Sequence, residues 1–494
     1  MKNLINKIVQ YPVLLTSLFA VTSCNGEKED CSRPNILWIM ADDLGPDLGC
    51  YGTPEVFTPN LDRLAKVGTR YTNLFTVAAV SSVSRSAMIT GMYPVSINCH
   101  QHRTQFKSAL PGSIKPITEY LREAGYYVSN GSSKDLGKYG KTDYNFIHSV
   151  DSLYDGPNWS GRKKGQPFFA QIQISNPHRP FVQDAEHPID PDKVKIPPIY
   201  PDHPVSRKDW ALYLESVQAV DRQVGSILAR LEEEGLLDNT VVFFFGDQGQ
   251  PHVRSKQFMY EEGSHTPLIV MWHNKLKPNT VCDRLVSNVD LSAQVLDIAG
   301  IRVPDYMHGQ VFIGENAVPR EYIFSMRDRR DETVDRIRSI RSDRYRYIRN
   351  FYPELPYTQP NAYKKFNYPV LTLMRLMHKA GKLPKEQDLF MADCRPAEEL
   401  YDISNDPFCL ENLAENPAFN KEKRLMSERL DTCLGRYDKG VYPEDEREIE
   451  FAKDLMEKDF ARWMNREGLS VDISDEDFLK WWISRLGIDT LKIN

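Results

Sequence analysis

Three short apolar runs, far apart in the chain, each end in a burst of polar residues. Ile36 to Met40 in "RPNILWIMADDLG" gives way to Asp42-Asp43. The strand-like "PFFAQIQISNPHRPF" ends in Asn176-Pro177-His178-Arg179, and Val241 to Phe245 in "NTVVFFFGDQGQPH" ends in Gly246-Asp247-Gln248. Apolar runs of this length bounded by turn signals read as strands buried on both faces, the kind found in parallel sheets. Helices separate them. Thr58 and Pro59 open "TPNLDRLAKVG" as N-cap and first helical residue, with Leu61, Leu64 and Ala65 on one face, and Trp210 to Leu231 repeats Val and Leu at helical spacing. The expected fold is α/β, a large and mostly parallel central sheet with helices on both faces. Ligands of such sheets bind beyond the carboxyl ends of the strands, so Asp42, Asp43, His178, Asp247 and Gln248 should gather along one edge.

Three carboxylates in one volume raise each other's pKa unless a cation sits among them. Asp42, Asp43, Asp247 and the amide oxygen of Gln248 are hard oxygen donors, which favour calcium or magnesium over zinc. One such Asp alone would merely cap a turn; matched positions on separate strands point to a shared ion.

Between the first two runs lies "VAAVSSVSRSAMITGMYP", Val77 to Pro94. Serines crowd ahead of Arg85, and helix formers follow as far as Gly91. On propensity alone Ser81 or Ser82 is an N-cap. Ser81, Ser82, Val83, Ser84 and Arg85, followed by Thr90-Gly91, resemble in register the signature of the formylglycine-dependent sulfatases, in the alkaline-phosphatase-like superfamily. Val83 departs from the usual Pro or Ala. The acidic pair of "MADDLG" and the later "GDQG…K…YEEG…PLIV" are similar to the same family, and the likeness runs from about Arg33 to Glu398.

This resemblance implies that Ser81 is oxidised to formylglycine (3-oxoalanine), in a serine-type site by an anaerobic radical sulfatase-maturing enzyme. A serine hydroxyl is a weak nucleophile. A hydrated aldehyde offers one oxygen to attack sulfur and a second whose deprotonation expels sulfate. The resemblance also implies one calcium ion on Asp42, Asp43, Asp247, Gln248 and residue 81. It makes Arg85, Lys141, His178 and Lys256 the further catalytic residues, with Arg85 orienting the carboxylates and His178 suited to protonate the leaving atom. The family's Gly-Lys-any-His is here Gly140-Lys141-Thr142-Asp143, with Lys138 and Lys134 as alternative lysines. The missing histidine leaves the second proton-transfer group open; His100 and His102 in "NCHQHR" are candidates for that role or for substrate binding.

The alternation in "DRYRYIRNF" predicts antiparallel strands, hence a smaller C-terminal antiparallel-sheet subdomain. Its charged "SMRDRRDETVD" supplies Arg327, Arg329 and Arg330 for a carboxylate or sulfate, and Asp331 or Glu332 for hydroxyl or amine groups. The order "HQH", "NPHRP" and "RSK…Y", the last with Arg254, is similar to the sulfamidase branch, the N-sulfoglucosamine sulfohydrolases. The expected substrate is therefore a sulfated oligosaccharide, foremost the N-sulfate of glucosamine in heparin or heparan sulfate. The alternatives are an O-sulfatase on another sulfated glycan, a two-metal phosphatase or phosphodiesterase, and a non-catalytic glycan-binding protein.

The expected organisation is a leader over 1–24, a tether over 25–32, a catalytic domain over 33–318, a C-terminal subdomain over 319–440 and amphipathic helices over 441–494. In the leader, Lys2 and Lys7 precede an apolar Val13 to Val21 that is too short to span a membrane. Val21-Thr22-Ser23-Cys24 resembles a bacterial lipoprotein box. It implies lipidation at Cys24, export to the periplasm or the cell-surface outer membrane, and membrane contact through the lipid anchor only. A net charge of -6 argues against a nucleic-acid partner. The other cysteines show no CxxC spacing for a zinc cluster; disulfides are permitted in an exported protein, but the spacing gives no pairing.

Overall fold

The computed structural model describes residues 33–442 and 444–489, so the leader and Cys24 lie outside the described residues. The strands of the large sheet are β1 (Asn35–Asp42), β2 (Thr69–Phe75), β3 (Tyr127–Ser132), β4 (Asp135–Tyr139), β5 (Phe168–Pro177), β6 (Thr240–Gly246), β7 (His265–Met271) and β8 (Thr280–Ser287). They are ordered β4-β3-β5-β1-β6-β7-β2-β8. β4 and β7 run against the rest, so the sheet is mixed with a parallel centre. The three apolar runs of the sequence are its three adjacent central strands, β5, β1 and β6. Ala41 of β1 is level with both Ile174 and Gly246, so the polar ends of all three emerge together.

Successive side chains of β1 feed two cores, as strand pleating requires. Leu37 and Ile39 pack with α1 (Pro59–Val67) and the long α3 (Pro204–Glu233), whereas Ile36, Trp38 and Met40 pack with α2 (Ser81–Thr90) and α4 (Asp290–Ile298). Trp38 meets Phe169 and Phe245 edge-on, at ring separations of 5.2 and 5.5 Å, which binds the central strands side to side. Each such fully buried side chain stabilises the fold by about 1.5–3 kcal/mol.

One local expectation needs correction. Thr58 precedes α1 but makes no capping bond. Its Oγ1 accepts from the Gly49 N–H at 2.9 Å and donates to Asp62 at 3.3 Å. The cap comes from α3. Asp221 accepts from the Leu61 N–H at 2.8 Å and from the Asn60 side chain, also at 2.8 Å. A carboxylate from a packed neighbour takes the place of the local hydroxyl.

The second sheet is antiparallel, with β9 (Ile323–Arg327), β10 (Ile337–Arg341), β11 (Tyr345–Asn350) and β12 (Glu398–Asp402) in the order β12-β11-β10-β9. Later helices are α5 (Ala362–Asn367), α6 (Asn420–Tyr437), α7 (Glu446–Arg466) and α8 (Asp475–Arg485). Met426 and Leu430 of α6 share a core with Ile340 and Tyr347 of the small sheet and with Val77 and Ala87 at α2. The Met326 N–H donates to Val77 O at 2.8 Å, and Ser325 Oγ donates to Thr76 O at 3.1 Å. The small sheet is thereby stitched to the segment that leads into α2. Phe366 of α5 packs with Met464, Phe478 and Trp482 of α7 and α8.

Replacing Asp221 with Ala leaves three α1 donors, the backbone N–H groups of Asn60 and Leu61 and the Asn60 side chain, without their acceptor. It is expected to destabilise the protein by about 1–3 kcal/mol. Urea unfolding midpoints at constant slope would read this, and a change of only a few tenths would refute the capping role.

Candidate active site

Asp42 closes β1, Asp43 follows in the left-handed region at φ 65°, and Asp247 follows β6. Backbone bonds fix their mutual placement. The Asp43 N–H donates to Asp247 Oδ1 and the Asp247 N–H to Ala41 O, both at 2.9 Å. Each carboxylate offers an oxygen within 4.8 Å of the others, and among the described residues this is the one such cluster of potential metal ligands. All three are buried. Gln248 turns its amide NH2 to Asp43, while its buried Oε1 has no hydrogen-bond partner. Three carboxylates and an uncommitted amide oxygen fit a hard divalent cation such as calcium.

Cations ring the cluster. Lys141 Nζ donates to Asp42 Oδ2 at 2.7 Å, Lys256 Nζ to Asp43 Oδ2 at 2.5 Å, and Arg85 Nε to Asp247 Oδ2 at 2.8 Å. His178 Nε2 lies 3.8 Å from Asp43 Oδ2. Burial pushes the Asp42 carboxyl up, but Lys141 and Arg85 outweigh it and hold it well below the usual range. Asp43 is lowered in the same way, burial being overcome by Lys256 and His178. Asp247 is not: burial and the neighbouring Asp42 push it up to about 6 in spite of Arg85. The protein's own cations leave the cluster short of positive charge, as expected of a site built around an ion.

Ser81 is the first residue of α2. The N-cap position belongs to Val80, which supplies no side-chain bond, so neither serine serves as the cap that propensity alone would assign. Every residue of α2 is buried, and most of its hydroxyls are consumed internally. Ser86 bonds back to Ser82 O and Thr90 to Ser86 O, each at 2.7 Å. Ser84 donates to Asp247 O and accepts from Asn288 at 2.9 Å. Ser81 Oγ instead donates to Asp42 Oδ1 at 3.2 Å. It stands at the open N-terminus of a helix, where backbone N–H groups and the helix dipole favour an anion.

His178 follows β5. Its Nδ1 lies 2.6 Å from Arg179 O; a carbonyl only accepts, so Nδ1 carries a proton and Nε2 is the nitrogen turned to the cluster. Nε2 also faces the Tyr363 hydroxyl at 3.4 Å. The turn is anchored by buried Arg179, paired to both oxygens of Asp209 at 2.7 and 2.5 Å and stacked on Phe181 and Tyr368. Lys141 leaves the β3–β4 hairpin through Gly140, where an added Cβ would come within 2.4 Å of Gly131 O. Of the three candidate lysines only Lys141 reaches the cluster; Lys134 and Lys138 are exposed. Asp143, in place of the expected histidine, pairs with Arg103 through both oxygens at 3.0 and 2.9 Å.

The remaining candidates divide. His102 Nδ1 meets Asp331 Oδ1 at 3.1 Å, and Arg330 pairs with Asp331 while lying 4.8 Å over the Tyr363 ring. Lys256 approaches the same ring from 5.5 Å, which ties this group to the cluster. Arg327 pairs with Asp335 at 3.4 Å and stacks on Phe258. Arg329 is engaged by Glu444. Glu332 accepts from the Ala362 N–H and holds the start of α5. Two expectations are not met. His100 is buried against Tyr442, its pKa driven down to about 3 by burial and Arg338. Arg254 donates to Phe408 O and Cys409 O, each at 2.6 Å, and stacks on Tyr260. It braces the C-terminal part of the chain and does not face the cluster. Sequence reasoning missed Tyr363, Arg103, Asp143 and Gln173, whose Oε1 accepts from Arg85 at 2.7 Å. Two of these had a visible signal: Gln173 as one of two glutamines within the buried run of β5, and Asp143 at the position expected to hold a histidine.

Residues 34–301 match the family model described as sulfatase, and residues 249–359 match that of the N-sulphoglucosamine sulphohydrolase C-terminal segment. An "ulvan-active sulfatase" of Formosa agariphila is 35% identical over 81% of this chain and 75% of its own length. The human N-sulphoglucosamine sulphohydrolase is 26% identical over 81% of this chain and 89% of its own. A solved structure described as bound to its substrate D-glucosamine-2-N,6-O-disulfate aligns with TM-score 0.59 at 19% identity, covering 84% of this chain and all of that one. At that identity the likeness concerns the fold.

Asp209 yields a pH prediction. Burial raises its pKa, but Arg179 and His252 outweigh this and bring it down to about 2. A folded value below the unfolded one means stabilisation that is full above about pH 4 and lost as pH falls toward 2. The stability gap between wild type and Asp209→Asn should therefore shrink as urea titrations move from pH 6 to pH 3. A gap constant with pH would refute the ionic role.

Proposed function

The chain belongs to the sulfatase family, and on that premise we propose that it removes sulfate from a sulfated glycan, using residue 81 as nucleophile beside a calcium ion. The observation that carries this reading is Ser81 at the head of a buried helix, its Oγ on Asp42 of the three-carboxylate cluster. Asp42, Asp43, Asp247 and Gln248 would hold the ion, which would screen negative charge and polarise the oxygens of the nucleophile and of the sulfate group. Matured to formylglycine, residue 81 would supply a hydrated aldehyde in place of a weakly nucleophilic hydroxyl.

The chain's own groups prepare the site for an anion. Arg85 spans Asp247 and Gln173 and so fixes the carboxylates in one geometry. Lys141 and Lys256 bring positive charge to the two sides of the cluster, where charge builds on the sulfate oxygens as the bond to the leaving group breaks. His178, protonated at Nδ1, presents Nε2 to hold the proton that the leaving oxygen or nitrogen requires. The match of residues 249–359 to the sulphohydrolase C-terminal model favours the N-sulfate of glucosamine. The ulvan-active relative favours an O-sulfate of another polysaccharide. The leader around Cys24 supports an exported lipoprotein. No helix among the described residues is long and apolar enough to cross a membrane.

The test is to co-express the chain with a radical maturing enzyme and offer it heparin disaccharides bearing N-, 2-O- or 6-O-sulfates, and ulvan oligosaccharides. Mass and NMR would show which sulfate leaves; release from none would overturn the reading. The peptide containing residue 81 is expected two hydrogens lighter than serine, and Ser81→Ala should lower kcat by at least about 10³-fold. After chelation, calcium should restore activity and raise the thermal midpoint. Asp43→Asn should abolish that thermal shift.

A further inference from the structure

Arg103 stands two contacts beyond Lys141, through Asp143, and has no role in the chemistry described above. Four contacts link it to the nucleophile: Ser81 to Asp42 at 3.2 Å, Asp42 to Lys141 at 2.7 Å, Lys141 to Asp143 at 3.7 Å, and Asp143 to Arg103 at 2.9 Å. Its guanidinium grips Asp143 through Nε and Nη2, and among the described residues Nη1 has no acceptor. The Arg103 side chain is 54% exposed while Asp143 is 13% exposed, so the pair turns its cationic end outward.

The loop around Arg103 is fixed in place. The Arg103 N–H donates to Ser82 Oγ at 3.3 Å, beside the nucleophile. The flanking His102 N–H donates to Arg329 O at 3.0 Å and the Thr104 N–H to Asn145 at 2.8 Å. Arg103 and Asp143 have φ of 51° and 54°, in the left-handed region that residues other than glycine seldom occupy and that concentrates at functional sites. Nearby, Arg330 over Tyr363 keeps a buried Nε with no acceptor, and Arg103 adds to the positive field it feels. A half-exposed ion pair adds little to stability. A pair of this kind on a pinned loop, facing a cation with unused donors, is suited to recognition.

We propose that Arg103, positioned by Asp143 and supported by Arg330, binds a second anionic group of the substrate, a carboxylate or sulfate near the sulfate that is removed. The inference rests on the proposed glycan sulfatase activity and adds the class of glycan: one with two negative charges close together. A fork-shaped guanidinium with a free edge matches either anion.

The test compares matured wild type with Arg103→Gln on paired saccharides. One series is the uronosyl–N-sulfoglucosamine disaccharide of heparin, with its carboxylate intact, with it reduced to the alcohol, and reduced but carrying a 6-O-sulfate. The other is ulvan-derived disaccharides with the carboxylate intact or reduced. For wild type, kcat/KM should be about 10–100-fold higher when the second anion is present, the worth of a charge-assisted hydrogen bond. In Arg103→Gln that ratio should fall to about one, at an unchanged thermal midpoint. Whether carboxylate or added sulfate restores the wild-type rate distinguishes the two sources. A ratio near one in wild type, or an unaltered ratio in the variant, overturns the inference and leaves the sulfatase reading standing. Wild type that releases sulfate from none of these saccharides overturns both.

Discussion

Three buried carboxylates in one small volume are the constraint on which the rest of this structure depends. Asp42, Asp43 and Asp247 cannot all be ionised there unless positive charge surrounds them. The molecule meets that demand from separate parts of the chain: α2 brings Arg85, the β3–β4 hairpin brings Lys141, and the loop after β6 brings Lys256. Burial and the neighbouring Asp42 still push Asp247 up, to about 6, in spite of Arg85. The level ends of β5, β1 and β6 make this arrangement possible, because register alone sets three distant segments side by side.

The parts farther out serve to hold that centre still. Arg179 is spent wholly inside the protein, on Asp209, Pro251 O and Asn367 O, and keeps the His178 turn in place. Lys364 donates to the carbonyls of Val253 and Lys256, each at 2.8 Å, and so fixes the loop that presents Lys256. Arg254 fastens that same loop to the C-terminal part of the chain. The C-terminal helices support α5, which places Tyr363 among Lys256, Arg330 and His178. Cationic side chains that look alike in sequence thus divide into those that face the site and those that face carbonyls within the fold.

The central strands, the helix after Ser81 and the acidic cluster at the strand ends were legible in the sequence, because each is a local pattern. Buried strands show apolar runs, and a helix end shows Gly91. β11, as part of an antiparallel sheet, was legible in the same way, through the alternation of "DRYRYIRNF". Thr58 illustrates the limit. Its local propensity as a cap was overridden by Asp221, a residue more than 150 positions away that packing delivers to the same helix end. His100 and Arg254 illustrate it again, since their residue types suited the site but their neighbours lay elsewhere.

The sequence by itself determined which residue types were present for this chemistry and which strands would carry them: a serine ahead of an arginine, and oxygen donors at the ends of apolar runs. Only the tertiary structure decided which charges meet. It chose Lys141 over Lys134 and Lys138, put Arg103 on Asp143, and set Tyr363 at the centre of the cationic wall. The reason is physical. Propensity and periodicity act between residues a few positions apart, whereas ion pairing and desolvation depend on distances across space, which exist only once the sheet has set its register and the loops have been pinned around it.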